Sequence, residues 1–547
     1  MAMTSMKPEE AVQSWLKEYG ANGVSPAHFL CDRHASIPEK IALFYEDATG
    51  QTLKLTFWEL RDLSAKMAGL LQSLGIRKGD RVAVLLPKTP ELLVTALAVW
   101  RLGAVYVPLF TAFGPDAIDL RAGDSGAKVV VTNATHRPKL KEAACCREGK
   151  IQIITVTEAN GALEPGDHSF WSELEAAAPV ETPVPVNGDD MMIMLYTSGT
   201  TGSPKGVEVP VKALAAFHAY MEFGLDIRED DMYWNMADPG WAYGLYYNAI
   251  GPLLVGKSTL FFNAPFGAPE IFRVLSKYRV TNFASAPTAY RALKAESEKV
   301  AGKFSLHLRV ASSAGEPLNP EVIEWSKKVL GVAIYDHYGQ TELGMSANNH
   351  HRSDLERPIR MGSMGHSMPG FRMTVVDQEG REVEPGREGI FAVDVQNSPL
   401  FWFRGYWNDE ARTAEKFVAN RRYCLAGDSV SMDPDGYFYF SGRTDDIILC
   451  AGYRIGPFEV ESALLKHPAV AEAAVVGKPD ALRLETIKAF VALKPGRIGT
   501  DELAEELKTF VKTHLSAHQY PREVEFVDQL PKTPSGKVQR FLLRKRD

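Results

Sequence analysis

Apolar runs alternating with amphipathic stretches constrain the fold of this chain more than any other feature. Arg81–Leu86 reads as a strand, Glu91–Leu102 as a helix closed by Arg101 and Gly103, and Val105–Leu109 as extended again. Lys128–Thr132 and Ile151–Val156 are further buried-strand runs. Strands covered on both faces lose the alternation of polar and apolar residues, so continuous apolar runs separated by helices predict an α/β architecture with mainly parallel sheet. Leu163–Asp190 is rich in Pro, Glu and Ala and reads as a surface connection. At 547 residues the chain exceeds what one core can serve, so at least two domains are expected. The last hundred residues differ in texture: helix at Phe458–Lys466, strands at Val470–Gly477 and Ile487–Lys494, helix at Glu502–His514, short strand at Glu523–Val527. That is a small α+β unit, and the boundary is placed at Arg443–Asp446, giving domains 1–443 and 444–547.

Net charge is −7 with both signs mixed along the chain, which gives no basic block for nucleic acid. The locally basic tail, with Arg540, Arg544, Lys545 and Arg546, reads as a solvated helix end. Five cysteines without C-x-x-C spacing argue against a disulfide scaffold and fit a reducing, cytoplasmic setting. Met1–Gly20 is broken by Lys7, Glu9, Glu10, Lys17 and Glu18 and has no apolar signal core. Glu91–Leu102 falls short of the roughly 20 apolar residues a membrane span needs, so no span is expected.

Chemistry concentrates in Tyr196–Val207, Tyr-Thr-Ser-Gly-Thr-Thr-Gly-Ser-Pro-Lys-Gly-Val, directly after the apolar segment Met191–Leu195. A buried strand ending in small polar residues brings backbone N–H groups to phosphate; glycines allow close approach, hydroxyls donate, and a lysine adds charge. A second stretch, Gly251–Ser258, formally fits G-x-x-x-x-G-K-[ST]. Its order is wrong, with a helix or buried segment at Tyr243–Leu254 before a strand at Ser258–Phe262, and its variable positions are core residues. It is read as a decoy.

Further along, Val332–Tyr335 reads as a strand with Asp336-His-Tyr-Gly-Gln-Thr-Glu342 at its carboxyl end, the edge where open α/β sheets bind ligands. A tyrosine there can stack on a purine, and a carboxylate can hold Mg2+ through oxygen. Ala426-Gly-Asp428 and Ser441-Gly-Arg443 flank Asp433-Pro-Asp-Gly436, which reads as a hairpin turn. A carboxylate can accept from both ribose hydroxyls, and an arginine can donate to one. Pro531-Lys-Thr-Pro-Ser-Gly-Lys537-Val-Gln-Arg540 closes the series. His337 and Asn348-Asn-His-His351 invite a metal reading, but without a second ligand pair the latter is read as a polar loop.

Taken in order from about Arg81 to Arg540, these motifs resemble the adenylate-forming superfamily, and the texture of Asp238-Pro-Gly-Trp-Ala-Tyr-Gly244 and Tyr338–Glu342 resembles its acetyl-/medium-chain acyl-CoA synthetase branch. The resemblance implies a large ATP- and acyl-binding domain with a small mobile one. It implies that Thr197, Ser198, Gly199, Thr200, Thr201, Gly202 and Lys205 hold the ATP phosphates, and that Gly315, Glu316, Pro317 and Asp336 contact adenine. Tyr338 would stack on adenine, Thr341 contact the α-phosphate, Glu342 and Thr197 bind magnesium, and Asp428 and Arg443 hold the ribose. Lys537 would be the adenylation lysine, Asp445 the hinge, and Cys450–Gly456, with Gly452 and Arg454, the loop that replaces Lys537 for thioester formation. The implied reactants are a carboxylic acid, ATP with Mg2+, and coenzyme A.

Acetyl-CoA synthetases carry a tryptophan just before Gln-Thr-Glu, where this chain has Gly339, so a short- to medium-chain or branched acid larger than acetate is expected. Trp241 is expected to line the acyl pocket. An aryl-CoA ligase, a stand-alone enzyme loading a carrier protein, and assembly as a homodimer all stay open at this point.

Overall fold

The computed structural model describes residues 6–147, 149–157, 161–197, 204–300, 302–450, 453–480, 484–515, 519–533 and 536–546. A seven-stranded sheet runs Lys205–Pro210, Met191–Thr197, Val105–Pro108, Arg81–Leu85, Ala127–Asn133, Gln152–Val156 and His168–Ser169 in spatial order. Only its Lys205–Pro210 edge is antiparallel. Helix Pro90–Arg101, with proline at its first turn where a missing N–H costs nothing, is buried at every position except Glu91. Its Trp100 indole donates to Met192 O (2.9 Å), and the fully buried Arg101 pairs with Asp32 (2.5 Å). Helix Phe57–Ser73 starts on a reciprocal cap between Thr56 and Glu59.

A six-stranded sheet follows in the order Tyr233–Asn235, Asn282–Ser285, Val310–Ala314, Ile334–Gln340, Gly344–Asn348 and His366–Ser367. The first four strands are parallel and the last two antiparallel. A five-stranded antiparallel sheet holds Tyr423–Met432 against Phe438–Arg443. The last sheet begins at Ile448–Cys450 and is built on Val470–Asp480 and Leu484–Leu493, with its own core from Ile448 to Val511. The molecule is thus a large α/β N-terminal part and a smaller α+β C-terminal one.

Two expectations are corrected. Leu163–Asp190 is not only a connection: His168–Ser169 extends the first sheet, and helix Phe170–Ala176 buries Phe170 and Leu174. Two apolar anchors over seven residues are too little for a periodicity argument. The strand begun at Ile334 also does not stop at Tyr335; it runs to Gln340 because Gly344–Asn348 pairs with its second half. Asp336–Gln340 therefore lie in sheet, not in a loop beyond it.

The decoy folds as expected for core material. Gly251–Leu254 is helical, Thr259–Asn263 is a strand, Lys257 donates to Glu229 O (2.9 Å) and Ser258 to Ile41 O (2.8 Å). Helix before strand is the reverse of a phosphate-binding P-loop. No helix among the described residues is long and apolar enough to cross a membrane.

Candidate active site

The phosphate corner is seen through its stems. Thr197 and Lys205 face each other across the antiparallel pair Met191–Thr197 and Lys205–Pro210, while Ser198, Gly199, Thr200, Thr201 and Gly202 lie outside the described residues. The Lys205 ammonium sits 4.8 Å from the centre of the Tyr406 ring, and the Tyr406 hydroxyl donates to Glu342 Oε1 (2.7 Å). Burial, then the nearby Arg412 and Lys416, lower the Lys205 pKa; Glu342 works against them. Tyr246 donates to Thr341 O (3.1 Å), which fixes the turn carrying Glu342. Lys205, Tyr406 and Glu342 thus meet, although 64 residues separate the last two.

Glu342 is buried, with one carboxylate oxygen engaged by Tyr406. The described residues hold no group of three or more His, Cys, Asp and Glu suited to a metal. A lone hard carboxylate beside a phosphate loop fits Mg2+, which takes one or two carboxylates together with substrate phosphates and water.

The ribose corner is built by register. Asp428 and Arg443 stand opposite each other on Tyr423–Met432 and Phe438–Arg443, their side chains 3.4 Å apart. The Asp433–Gly436 turn between them closes with Gly436 N donating to Asp433 O (3.0 Å) and Gly436 at φ +85°. The Tyr338 hydroxyl donates to Asp428 Oδ2, and the Gln340 amide donates to the same oxygen (3.0 Å) and to Ala426 O (2.8 Å). Burial raises the Asp428 pKa, and the Arg443 guanidinium opposes that rise. Gln340 was missed as a site residue; its place two residues from Tyr338, on the same strand face, was the available signal.

At the adenine strip Gly315 has φ +100°, a conformation that favours glycine. Glu316 accepts from Thr288 (2.8 and 2.9 Å) and pairs with Arg291 (2.7 Å). Neither partner was singled out from sequence, since their approach comes from the crossover between Asn282–Ser285 and Val310–Ala314. Asp336 is buried, its Oδ1 has no protein partner, and burial lifts its pKa well above the usual carboxylate range. Oδ2 accepts a long bond from Leu318 N (3.4 Å). A buried orphan carboxylate oxygen calls for an explanation, and a donor on a bound adenine would supply one.

On the acyl side, Asp238–Gly244 folds as a tight turn. Gly240 N donates to Asp238 Oδ1 (2.7 Å), and a Cβ at Gly244 would lie 2.1 Å from Asp238 O. Trp241 packs on Phe110 and Phe113, with ring centroids 5.3 and 5.5 Å away. The argument that Gly339 leaves open space is corrected. A Cβ there would lie 2.4 Å from Gly344 O and 2.7 Å from Met345 Sδ. The Gly344 backbone and Met345 thioether thus lie where a side chain at this position would start.

Asn349–His351 form a polar loop after the strand ending at Asn348, and all four residues are buried, with His351 stacked on Tyr335 (4.0 Å) and bonded to Ser312 (3.0 Å). His337 bridges Tyr220 (2.8 Å) and Asn349 O (2.8 Å). They serve packing.

Lys537 is exposed, on a turn in which Thr533 N donates to Lys537 O (2.7 Å) and Gly536 has φ +90°. A Cβ on Gly536 would touch Thr288 Cγ2 at 3.7 Å, so this turn lies against the residue that bonds Glu316. Asp445 lies 3.6 Å from Arg443, and its carbonyl accepts from Arg544 (3.2 Å). Gly452 is outside the described residues; the backbone of Arg454 pairs with Leu449. The basic tail is not merely solvated: Arg540 pairs with Glu461 (2.8 Å) and Arg544 with Asp446 (2.5 Å).

Comparison with known proteins identifies the family. The AMP-binding enzyme model matches residues 31–407, and the AMP-binding enzyme C-terminal domain model matches 459–537. The acetyl-coenzyme A synthetase of Bacillus subtilis is 39% identical over 530 residues, 95% of this chain and 90% of that protein. The mitochondrial acyl-coenzyme A synthetase ACSM3 of Mus musculus is 37% identical over 521 residues, 92% and 86% of the two chains. Among solved structures, a Brucella canis acyl-CoA synthetase is 49% identical with TM-score 0.77, covering 100% of this chain and 98% of its own. The anthranilate CoA ligase AuaEII with anthranoyl-AMP gives TM-score 0.86 at 28% identity, covering 97% and 98%. With both family models matched and relatives of this identity spanning nearly the whole length, the chain belongs to the AMP-binding enzyme family and is an AMP-forming acid–CoA ligase.

Proposed function

We propose that the enzyme activates a short- to medium-chain carboxylic acid as its acyl-adenylate and transfers the acyl group to coenzyme A. The carrying observation is the corner where Asp428, Arg443, Tyr338 and Gln340 converge, a built receptor for a nucleoside. In the first step the acid carboxylate attacks the α-phosphate and pyrophosphate leaves. Lys537 is assigned to offset repulsion between the two anions and to stabilise charge on the pentacovalent phosphate. Lys205 and the loop it follows hold the β- and γ-phosphates, and Thr341 meets the α-phosphate. Glu342, with Thr197, would hold Mg2+, which supplies charge neutralisation on the phosphates. In the second step the coenzyme A thiol attacks the acyl carbon and AMP leaves.

The domains are assigned as 1–443 and 444–547, with Asp445 as hinge and Gly452 and Arg454 on the loop used for thioester formation. The support is the short passage from Arg443, which ends one sheet, to Ile448, which begins the next. Asp445→Pro is expected to slow thioester formation more than adenylation, as read by pre-steady-state assays of each half-reaction; equal loss removes the hinge assignment. The described cysteines are all free, which supports a reducing, cytoplasmic setting.

A second reading, an aromatic acid, is favoured by one finding: Met345 fills the direction Gly339 was expected to open, while Phe110, Phe113 and Trp241 form an aromatic wall. AMP release with ATP and Mg2+ is the test, measured across straight-chain, branched and aromatic acids with and without coenzyme A. A coenzyme A-dependent optimum above acetate supports the first reading, and an optimum at benzoates the second. Exchange of pyrophosphate without coenzyme A-dependent AMP release moves the acceptor to a carrier protein.

A further inference from the structure

Asn319 occupies the N-cap of helix Pro320–Val329, where an asparagine side chain ordinarily accepts from the first turn. Here it makes no cap. Its Nδ2 donates instead to Ser462 Oγ (3.0 Å), across to helix Pro457–Leu465 of the C-terminal part, while its Oδ1 accepts from Arg291 (3.4 Å). Asn319 is buried, so a helix N-terminus has given up its own cap for a bond that joins the two parts of the molecule.

The bond continues inward. Arg291 pairs with Glu316 (2.7 Å) and donates to Thr288 Oγ1 (2.7 Å), and Thr288 donates to Glu316. Thr288 is also the residue nearest to where a Cβ on Gly536 would sit, 3.7 Å away. One cluster on the expected adenine strip therefore bonds the C-terminal part at Ser462 and comes near it at Gly536, just before Lys537. A polar pair is directional in a way that an apolar contact is not, so it fixes the angle at which the smaller part docks.

We propose that Asn319 and Ser462 form a positioning latch that couples the adenine strip to the docking of the C-terminal part, setting the Lys537 turn in place for adenylation. This rests on the two-step reading above. Neither residue touches the reactants. Breaking the latch slows adenylation and spares the step that uses a different orientation.

The test is a double-mutant cycle with Asn319→Ala, Ser462→Ala and the pair. Each single change is expected to reduce pyrophosphate exchange about two- to tenfold, the range for one hydrogen bond, with the double variant no worse than the weaker single. Thioester formation from supplied acyl-adenylate and coenzyme A should keep the parent rate, and Asn319→Ala, which takes a partner from both Ser462 and Arg291, should lower the melting temperature by no more than those two bonds account for and stay folded at the assay temperature. Hydrogen exchange at the amides of Thr533 and Gly536, which bond Lys537 O and Thr533 O, needs no turnover and should rise in both single variants. Unchanged exchange at those amides, independent losses in the cycle, or equal loss of both half-reactions would overturn the latch. Absence of pyrophosphate exchange in the parent with every acid would instead overturn the two-step reading, and hydrogen exchange would still decide the latch.

Discussion

The ribose corner and the Lys537 turn are built in opposite ways. Asp428 is buried, opposite Arg443 by strand register, and engaged by Tyr338 and Gln340. Lys537 is exposed, next to Gly536, whose added Cβ would lie 3.7 Å from Thr288 of the larger part. If these groups bind the nucleotide as proposed, they are fixed before it arrives, and little ordering is left to do on binding. The group assigned to the reacting atoms instead sits on the smaller C-terminal part, which the proposed mechanism moves between steps. The difference teaches that binding and chemistry are separable by mutation here.

The largest expected effect comes from Lys537→Ala. Pyrophosphate exchange should fall at least ~10²–10³-fold, as for loss of one transition-state donor, with thioester formation from supplied acyl-adenylate retained. Equal loss of both steps would break the contrast. Asp428→Ala should come next. It strips Arg443, Tyr338 and Gln340 of their shared acceptor, and bonds to a charged group contribute ~1.5–3 kcal/mol. ATP affinity, read by calorimetry, should weaken about ten- to a hundredfold; unaltered affinity would remove the ribose assignment.

Gly339→Trp sharpens the comparison at the acyl side. With Gly344 O and Met345 Sδ in its way, the indole should cost ~1–3 kcal/mol of overpacking, read as a lower urea midpoint. Full stability with preference narrowed to acetate would restore the open-pocket argument.

The last effect, on stability alone, is set by pH. Burial holds His218 and His337 down to about 3 and His350 to about 4. These bases stay neutral when folded but gain a proton on unfolding below their ordinary pKa near 6.5. Stability is therefore present above about pH 6.5 and is lost as pH falls toward 4, by at most ~1.4 kcal/mol per unit for each histidine. A urea midpoint that does not move between pH 7 and 5 would contradict their burial.

The parts legible in sequence were those whose chemistry demands adjacent residues. The strand before Thr197, the hairpin at Asp433–Gly436, and the helix Pro90–Arg101 each follow from a local pattern. Distant pairings were not legible. Tyr406 meets Glu342, Arg291 meets Glu316, and Asn319 meets Ser462 only because crossovers and docking bring them together. Gly339 misled because what a side chain there would meet, Gly344 O and Met345 Sδ, belongs to the strand paired with it and is set by tertiary pairing. The short helix Phe170–Ala176 offered too few turns to declare a period.

The register that sets Asp428 against Arg443 also has a consequence for synthesis of the chain. The Asp428 corner needs Tyr338, 90 positions earlier, and closes only with the strand ending at Arg443. At ~5–20 residues per second a ribosome takes roughly 20–90 s to reach that residue. For all that time a nascent chain lacks the nucleoside receptor, so cellular ATP, which stabilises a folded protein by mass action, can protect only molecules whose last strand of that sheet has been made.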